Sequence, residues 1–347
     1  PEAITTDAPP YMLAWAVGTY GKALLGTTTA GTKVSVYWLP NGERSARAGT
    51  RRLVGVFDWY ERTLGPYAFG KDVAAVSVVW GEGLYGGMEH HPYWHVAKDA
   101  MADEVTHAHE AAHGWFGDGV RLKCWEDFVL SEGTVSYLAA RALAVTGGAT
   151  LERQVWADYQ RELDDAIATG GAPAWPTGCN QIDIIRDDLF TNLPYMQGAF
   201  FYRDVAAAVG VDVLDAVIGR FYRAHKNQAA SMQDMIDAIK RDTGFECYGY
   251  LADDRLCNGA RPAANSLTEL RADTLVATQR LFNYIGKLQF NTVASAAMKT
   301  RISRAVSDWL LRAAASNSLA LLTLPPIMPG IIMPPPGMPR PPPNSTW

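Results

Sequence analysis

The stretch His109-Glu110-Ala111-Ala112-His113 decides how this chain is read. Residues four apart lie on one face of a helix, so both imidazoles can hold a single divalent ion. The flanking residues from Ala97 to Phe116 contain no proline and support a helix. Glu110 follows the first imidazole and can take a proton from a water beside the ion. Six of the seven histidines fall between His90 and His113. Such a five-residue pattern arises by chance in roughly 1 chain in 100, so it needs a third ligand. Eighteen residues separate His113 from Glu132. Alone, Glu132 reads as a first-turn glutamate favoured by the helix dipole. Beside the histidine pair, a helix, a turn and a second helix packing back would bring its carboxylate to the imidazole face. Two nitrogens, one carboxylate and an open fourth position make the catalytic kind of zinc site, with one Zn²⁺ per chain expected.

Outward from this stretch, Tyr11–Val17 and Lys33–Leu39 are rich in β-branched and aromatic residues and read as strands, with a Gly/Thr-rich turn between them. Residues 47–64 read as a helix ended by Gly65-Pro66, and 72–80 as a buried strand. A glycine-rich edge follows at 81–88. Helical segments are expected at about 97–117, 127–146, 149–168, 194–209, 211–224 and 231–242, with two or three more within 266–318. Strands first and helices afterwards predict an α+β fold.

The 347 residues include 48% hydrophobic and 19% charged side chains, which excludes wholesale disorder. The net charge of −5 gives no reason to expect nucleic acid as a partner. From 258 onward there are nine basic and three acidic residues, and ten of the twenty prolines lie between Pro325 and Pro343. These shifts divide the chain into a body over 1–257, a helical extension over 258–320 and a proline-rich tail over 321–347. Residues 313–339 carry no charge, but their prolines argue against a membrane span. The opening Pro1-Glu2-Ala3 shows no leader pattern, and the compartment stays open. Four cysteines allow three pairings, among them Cys124 with Cys179 and Cys247 with Cys257.

At the metal motif the chain resembles the aminopeptidase N family of gluzincin zinc peptidases. That family reads H-E-x-x-H, eighteen residues, then E, matched by His109, Glu110, His113 and Glu132. Before the third ligand it reads W-x-D-x-W-L-x-E-G, and here Trp125, Asp127, Leu130, Glu132 and Gly133 agree. The family's G-x-M-E-N appears as Gly86-Gly87-Met88-Glu89-His90, with His in place of Asn. The resemblance implies that Glu89 binds the substrate α-amine and that the Gly86, Gly87 and Met88 backbone aligns the peptide. Tyr195-Met196-Gln197-Gly198-Ala199 matches a third motif, whose Tyr stabilises the oxyanion. The similarity covers about residues 8–255. Neither the β-domain that precedes this region in the family nor the large helical domain that follows it is recognised here.

The resemblance implies a thermolysin-like domain, a small mixed sheet on a helical bundle, that removes N-terminal residues from peptides. Glu110 would be the general base and Tyr195 the oxyanion donor. The partners expected are peptides with a free N-terminus, with no nucleic acid and no membrane span. Two alternatives remain: an endopeptidase or other hydrolase with an opened cleft, and a non-catalytic peptide-binding relative. Among the other candidates, His107 reads as a surface or second-shell residue, and His91 and His95 as loop residues near the cleft. Asp127 reads as an N-cap, and Tyr202 or Arg203 as facing the cleft.

Overall fold

The computed structural model describes residues 8–80, 86–170, 174–176, 178, 179, 181–184, 186, 187, 189–247, 260 and 261. The expected Cys247–Cys257 pair, the helices of 266–318 and the tail over 321–347 lie outside them, as does nearly all of the extension over 258–320.

A five-stranded sheet comes first. β1 (Gly21–Thr27) pairs antiparallel with β2 (Lys33–Trp38). β2 runs parallel to β3 (Asp72–Val78), and β3 parallel to β5 (Tyr93–Ala97). β4 (Gly87–Met88) closes the order β1-β2-β3-β5-β4 as an antiparallel edge. β3 carries almost nothing but buried small and β-branched residues, as expected of a strand flanked on both sides. α1 (Glu43–Gly49) and α2 (Leu53–Thr63) follow β2. The apolar face of α2 (Leu53, Val56, Phe57, Tyr60) is buried at helical spacing.

The helical layer comprises α3 (Glu104–Ala112), α4 (Phe128–Gly147), α5 (Ala149–Thr169), α6 (Asn192–Val209), α7 (Val211–His225) and α8 (Met232–Thr243). α4 is the central core helix. It packs on α2, α3, α5 and α6 and is buried nearly all round from Phe128 to Leu143. This enclosure explains its almost continuous apolar sequence. β6 (Arg121–Leu122) pairs with β7 (Ala229–Ala230) and ties the loop after α3 to the start of α8.

The α+β expectation holds, with four corrections to the elements. Residues 13–17 form no strand. Leu13, Trp15 and Val17 are exposed, and no neighbouring strand among the described residues offers a ladder. The first strand lies instead in the segment read as a turn. The helix read over 47–64 is two helices, split at 50–52. The helix read over 97–117 begins only at Glu104, because 93–97 is spent on β5. Its short Tyr-Trp-His-Val-Ala run carries a histidine, and that polarity hid a buried strand.

Candidate active site

α3 starts where Asp103 caps it, accepting from the backbone N–H of Val105 (3.1 Å) and Thr106 (3.0 Å). Glu104 in its first turn is paired with Arg51 and Arg52, which fixes the helix against the start of α2. The helix then presents His109, Glu110 and His113 to a cleft of about 1000 Å³.

The sequence-predicted ligands converge. His109 Nε2 lies 3.1 Å from Glu132 Oε2 and 3.2 Å from His113 Nε2; His113 Nε2 lies 3.5 Å from Glu132 Oε2. A tetrahedral ion with ligand distances of about 2.0–2.1 Å has ligand-to-ligand edges of about 3.3 Å. The three atoms outline one face of such a tetrahedron, and the donor set suits zinc. Backing groups agree. His113 Nδ1 donates to the Phe116 carbonyl (3.0 Å), which leaves Nε2 as the donor to a metal. His109 Nδ1 lies 3.3 Å from Ser136 Oγ on α4.

Two glycines make this geometry possible. Gly117 has φ +101°, and a Cβ there would lie 2.8 Å from His113 Nδ1. On Gly133, next to Glu132, a Cβ would lie 2.6 Å from the Gly198 Cα. α4 and α6 therefore cross backbone to backbone at Gly133 and Gly198. The crossing places Tyr195, one turn before Gly198, with its ring stacked on His109 (centroids 5.8 Å apart, planes 22° apart).

Glu110 is buried, and its Oε2 has no hydrogen-bond partner among the described residues. Burial pushes its carboxyl well above the usual range, a bias toward holding a proton. β4 passes directly over it. A Cβ on Gly87 would collide with the Glu110 carboxylate, so only glycine lets this strand approach the base. β4 is the sheet edge, and an extended peptide can add to such an edge. Gly86 packs near Thr106 of α3, and Met88 lines the cleft beside Glu89. Glu89, Glu110 and His113 offer ligand atoms within 4.8 Å of one another, so the expected amine anchor stands beside the expected base.

Other candidates fall elsewhere. His91 is no loop residue: it is buried, its Nε2 donates to the Glu110 carbonyl (2.8 Å), and its Nδ1 meets the Tyr67 hydroxyl (2.7 Å). Burial lowers its pKa to about 3, so it braces the metal helix as a neutral ring. His95 is buried on β5 against His90, and burial followed by that neighbour lowers its pKa to about 4. His107 is buried too, bonded to the Met101 carbonyl (3.0 Å), so the surface alternative fails. The Asp127 side chain does not cap α4; it accepts from the Met232 N–H (2.8 Å) and joins α4 to α8. Tyr202 is buried against Thr134, and Arg203 lies over the Trp156 ring, so neither faces the cleft.

Two groups escaped the sequence reading. Asp118 is fully buried behind His113, where burial and then the Glu89 charge raise its pKa well above the usual range. Tyr11 reaches into the cleft and hydrogen-bonds Glu89 and Asp118. The only signal for Asp118 was its place just after Gly117.

The Cys124–Cys179 disulfide, one of the open pairings, forms with the Cα atoms 5.3 Å apart. It holds the segment between α5 and α6 against the start of α4, and Glu126 also accepts the Gly178 N–H (2.8 Å). The apolar wall formed by Trp125, Phe128, Ile182, Ile184 and Phe190 depends on that clamp. Closing a chain separation of 55 residues constrains the unfolded state by about 4 kcal/mol in the entropic model. Cys179→Ala is expected to lower stability by about 2–4 kcal/mol in denaturant unfolding.

A mixed sheet with a short edge strand, packed on a helical bundle that carries H-E-x-x-H and a distant Glu, is the arrangement that the resemblance to gluzincin zinc peptidases implies. Residues 88–252 match the model of the peptidase family M1 domain. The matched stretch is just under half of the chain and is similar to that family's domain. The chain is 27% identical to leucine aminopeptidase 2 of Aspergillus niger over 230 residues, covering 64% of this chain and 36% of that protein. The leucine aminopeptidase 2 of Emericella nidulans is 27% identical over 245 residues, covering 67% and 38%. The match thus spans little more than a third of the curated relatives. An M1 zinc metallopeptidase from Deinococcus radiodurans superposes with a TM-score of 0.51 at 18% identity, covering 65% of this chain and 49% of its own, a likeness of fold.

Proposed function

We propose that this domain is a zinc-dependent aminopeptidase that removes N-terminal residues from peptides, with one zinc per chain. The observation that carries the reading is the joint placement of His109, His113, Glu132, Glu110 and Glu89 in one cleft. The catalytic unit is proposed to end near residue 257.

His109, His113 and Glu132 would hold the ion, which when bound polarises the scissile carbonyl and makes water a nucleophile near neutral pH. Glu89 pairs with the substrate ammonium and fixes how much of the peptide lies before the site of cleavage. The β4 backbone aligns the extended substrate. Glu110 takes the proton of the attacking water and delivers it to the leaving amine. The Tyr195 hydroxyl donates to the developing oxyanion. The Tyr195 ring rests on His109, which supports this role by keeping the ring beside the proposed ligand set.

The deciding experiment compares hydrolysis of leucine p-nitroanilide with that of its N-acetylated form. An aminopeptidase cleaves the first and not the second. Comparable rates on both would replace this reading with an endopeptidase or a broader hydrolase. Tyr195→Phe should lower kcat by about 10²–10³ with little change in KM, because the hydroxyl acts on charge that forms only in the transition state.

A further inference from the structure

One buried group near the site has no role in the chemistry above. Asp118 is wholly enclosed, and its Oδ2 lacks a hydrogen-bond partner among the described residues. Its Oδ1 lies 3.0 Å from the Tyr11 hydroxyl. The same hydroxyl lies 2.9 Å from Glu89 Oε1. Tyr11 is 78 positions before Glu89 and 107 before Asp118, so nothing in local chain geometry brings the three together. Keeping a carboxyl in a closed interior is costly, and removing it in favour of an apolar residue is often stabilising.

The arrangement has a use at Glu89. Its half-buried side chain extends from the end of the edge strand and has several rotatable bonds. A hydroxyl that holds Oε1 leaves Oε2 for an incoming ammonium and removes the entropy of placing it. The hydroxyl is itself held from behind by a carboxyl that solvent cannot reach.

We propose that Asp118, through the Tyr11 hydroxyl, positions Glu89 to receive the substrate α-ammonium group. This rests on the aminopeptidase reading. Neither residue touches the reacting bond; both act through Glu89. The short segment around Tyr11 is thereby part of amine recognition, although it lies far from the metal motif in sequence.

The test uses the zinc-loaded full chain and two ligands, leucinamide and its des-amino analogue 4-methylpentanamide, with Kd measured by calorimetry. Wild type is expected to prefer the amine. Tyr11→Phe should cut that preference by about tenfold and leave the des-amino affinity unchanged. Added to Glu89→Gln, Tyr11→Phe should cause no further loss, because both act at one point. Asp118→Asn keeps a group that can donate to the phenol oxygen, through its amide N–H, while the hydroxyl proton stays directed at Glu89, and should retain most of the preference that Asp118→Ala loses. Zinc content and a circular-dichroism melt for each variant establish that the fold is kept. A folded, zinc-loaded Tyr11→Phe protein with full preference overturns the proposal and leaves the aminopeptidase reading standing. So does a loss that adds fully to that of Glu89→Gln. A wild type that binds both amides equally removes Glu89 as amine anchor, and the proposal falls with it.

Discussion

Glu110→Gln is expected to abolish peptide hydrolysis, by at least about 10³-fold in kcat, while the chain keeps its zinc. The two readouts separate because Glu110 lies on the metal helix but is not one of the three converging ligands. Glutamine fills the same volume beside Gly87, so β4 keeps its place over the helix. What it lacks is a carboxylate that can accept a proton from water. Metal analysis of the purified variant should give the wild-type zinc content, and aminoacyl anilide kinetics should give a rate near background. Full activity would refute the assignment of the base.

Gly198→Val is expected to have the second largest effect, through geometry. A Cβ at this position collides with the Gly133 Cα and lies 2.9 Å from Val129 Cγ2. Backbone cannot yield as a long side chain can, so α6 must move away from α4. Overpacking of this kind costs about 1–3 kcal/mol or more. The shift also separates Tyr195 from His109 and displaces Glu132, which adjoins Gly133. A misplacement of about 1 Å can cost about 10²-fold in rate. The variant should therefore melt earlier and lose activity even where it is fully folded. Gly198→Ala should show the same defects in weaker form. A Gly198→Val protein with wild-type melting and kcat would show that the crossing does not set the site.

Much of the site was legible in the sequence because a helix imposes a fixed spacing. His109, Glu110 and His113 follow from the residues-per-turn rule, and the Cα atoms of one short helix leave little freedom. Glu132, Glu89 and Tyr195 were not fixed by local rules. The resemblance marked them, and only the packing of α4, β4 and α6 around α3 brings them to one cleft. The histidines around the motif misled for a related reason. His91, His95 and His107 read as surface or loop residues because imidazole is polar. The fold instead buries all three, His91 and His107 with backbone carbonyl partners and His95 against His90.

Strand assignments failed where the signal needed a partner. Residues 11–17 carry the composition of a strand but pair with none among the described residues, whereas β1 and β5 become strands because β2 and β3 lie beside them. A ladder is a property of two segments, and one segment's composition does not contain it.

By itself, then, the sequence determined a helix with two imidazoles and a carboxyl on one short stretch, the order of most helices and the α+β class. Each of these follows from the periodicity of a single segment. Tertiary structure alone decided that Gly133 and Gly198 touch, that Gly87 gives room for Glu110 and that His91 braces the metal helix. It also decided that the Tyr11 hydroxyl bridges Glu89 and Asp118. These depend on distances between segments tens of residues apart, which are set when apolar faces pack and buried polar groups find partners.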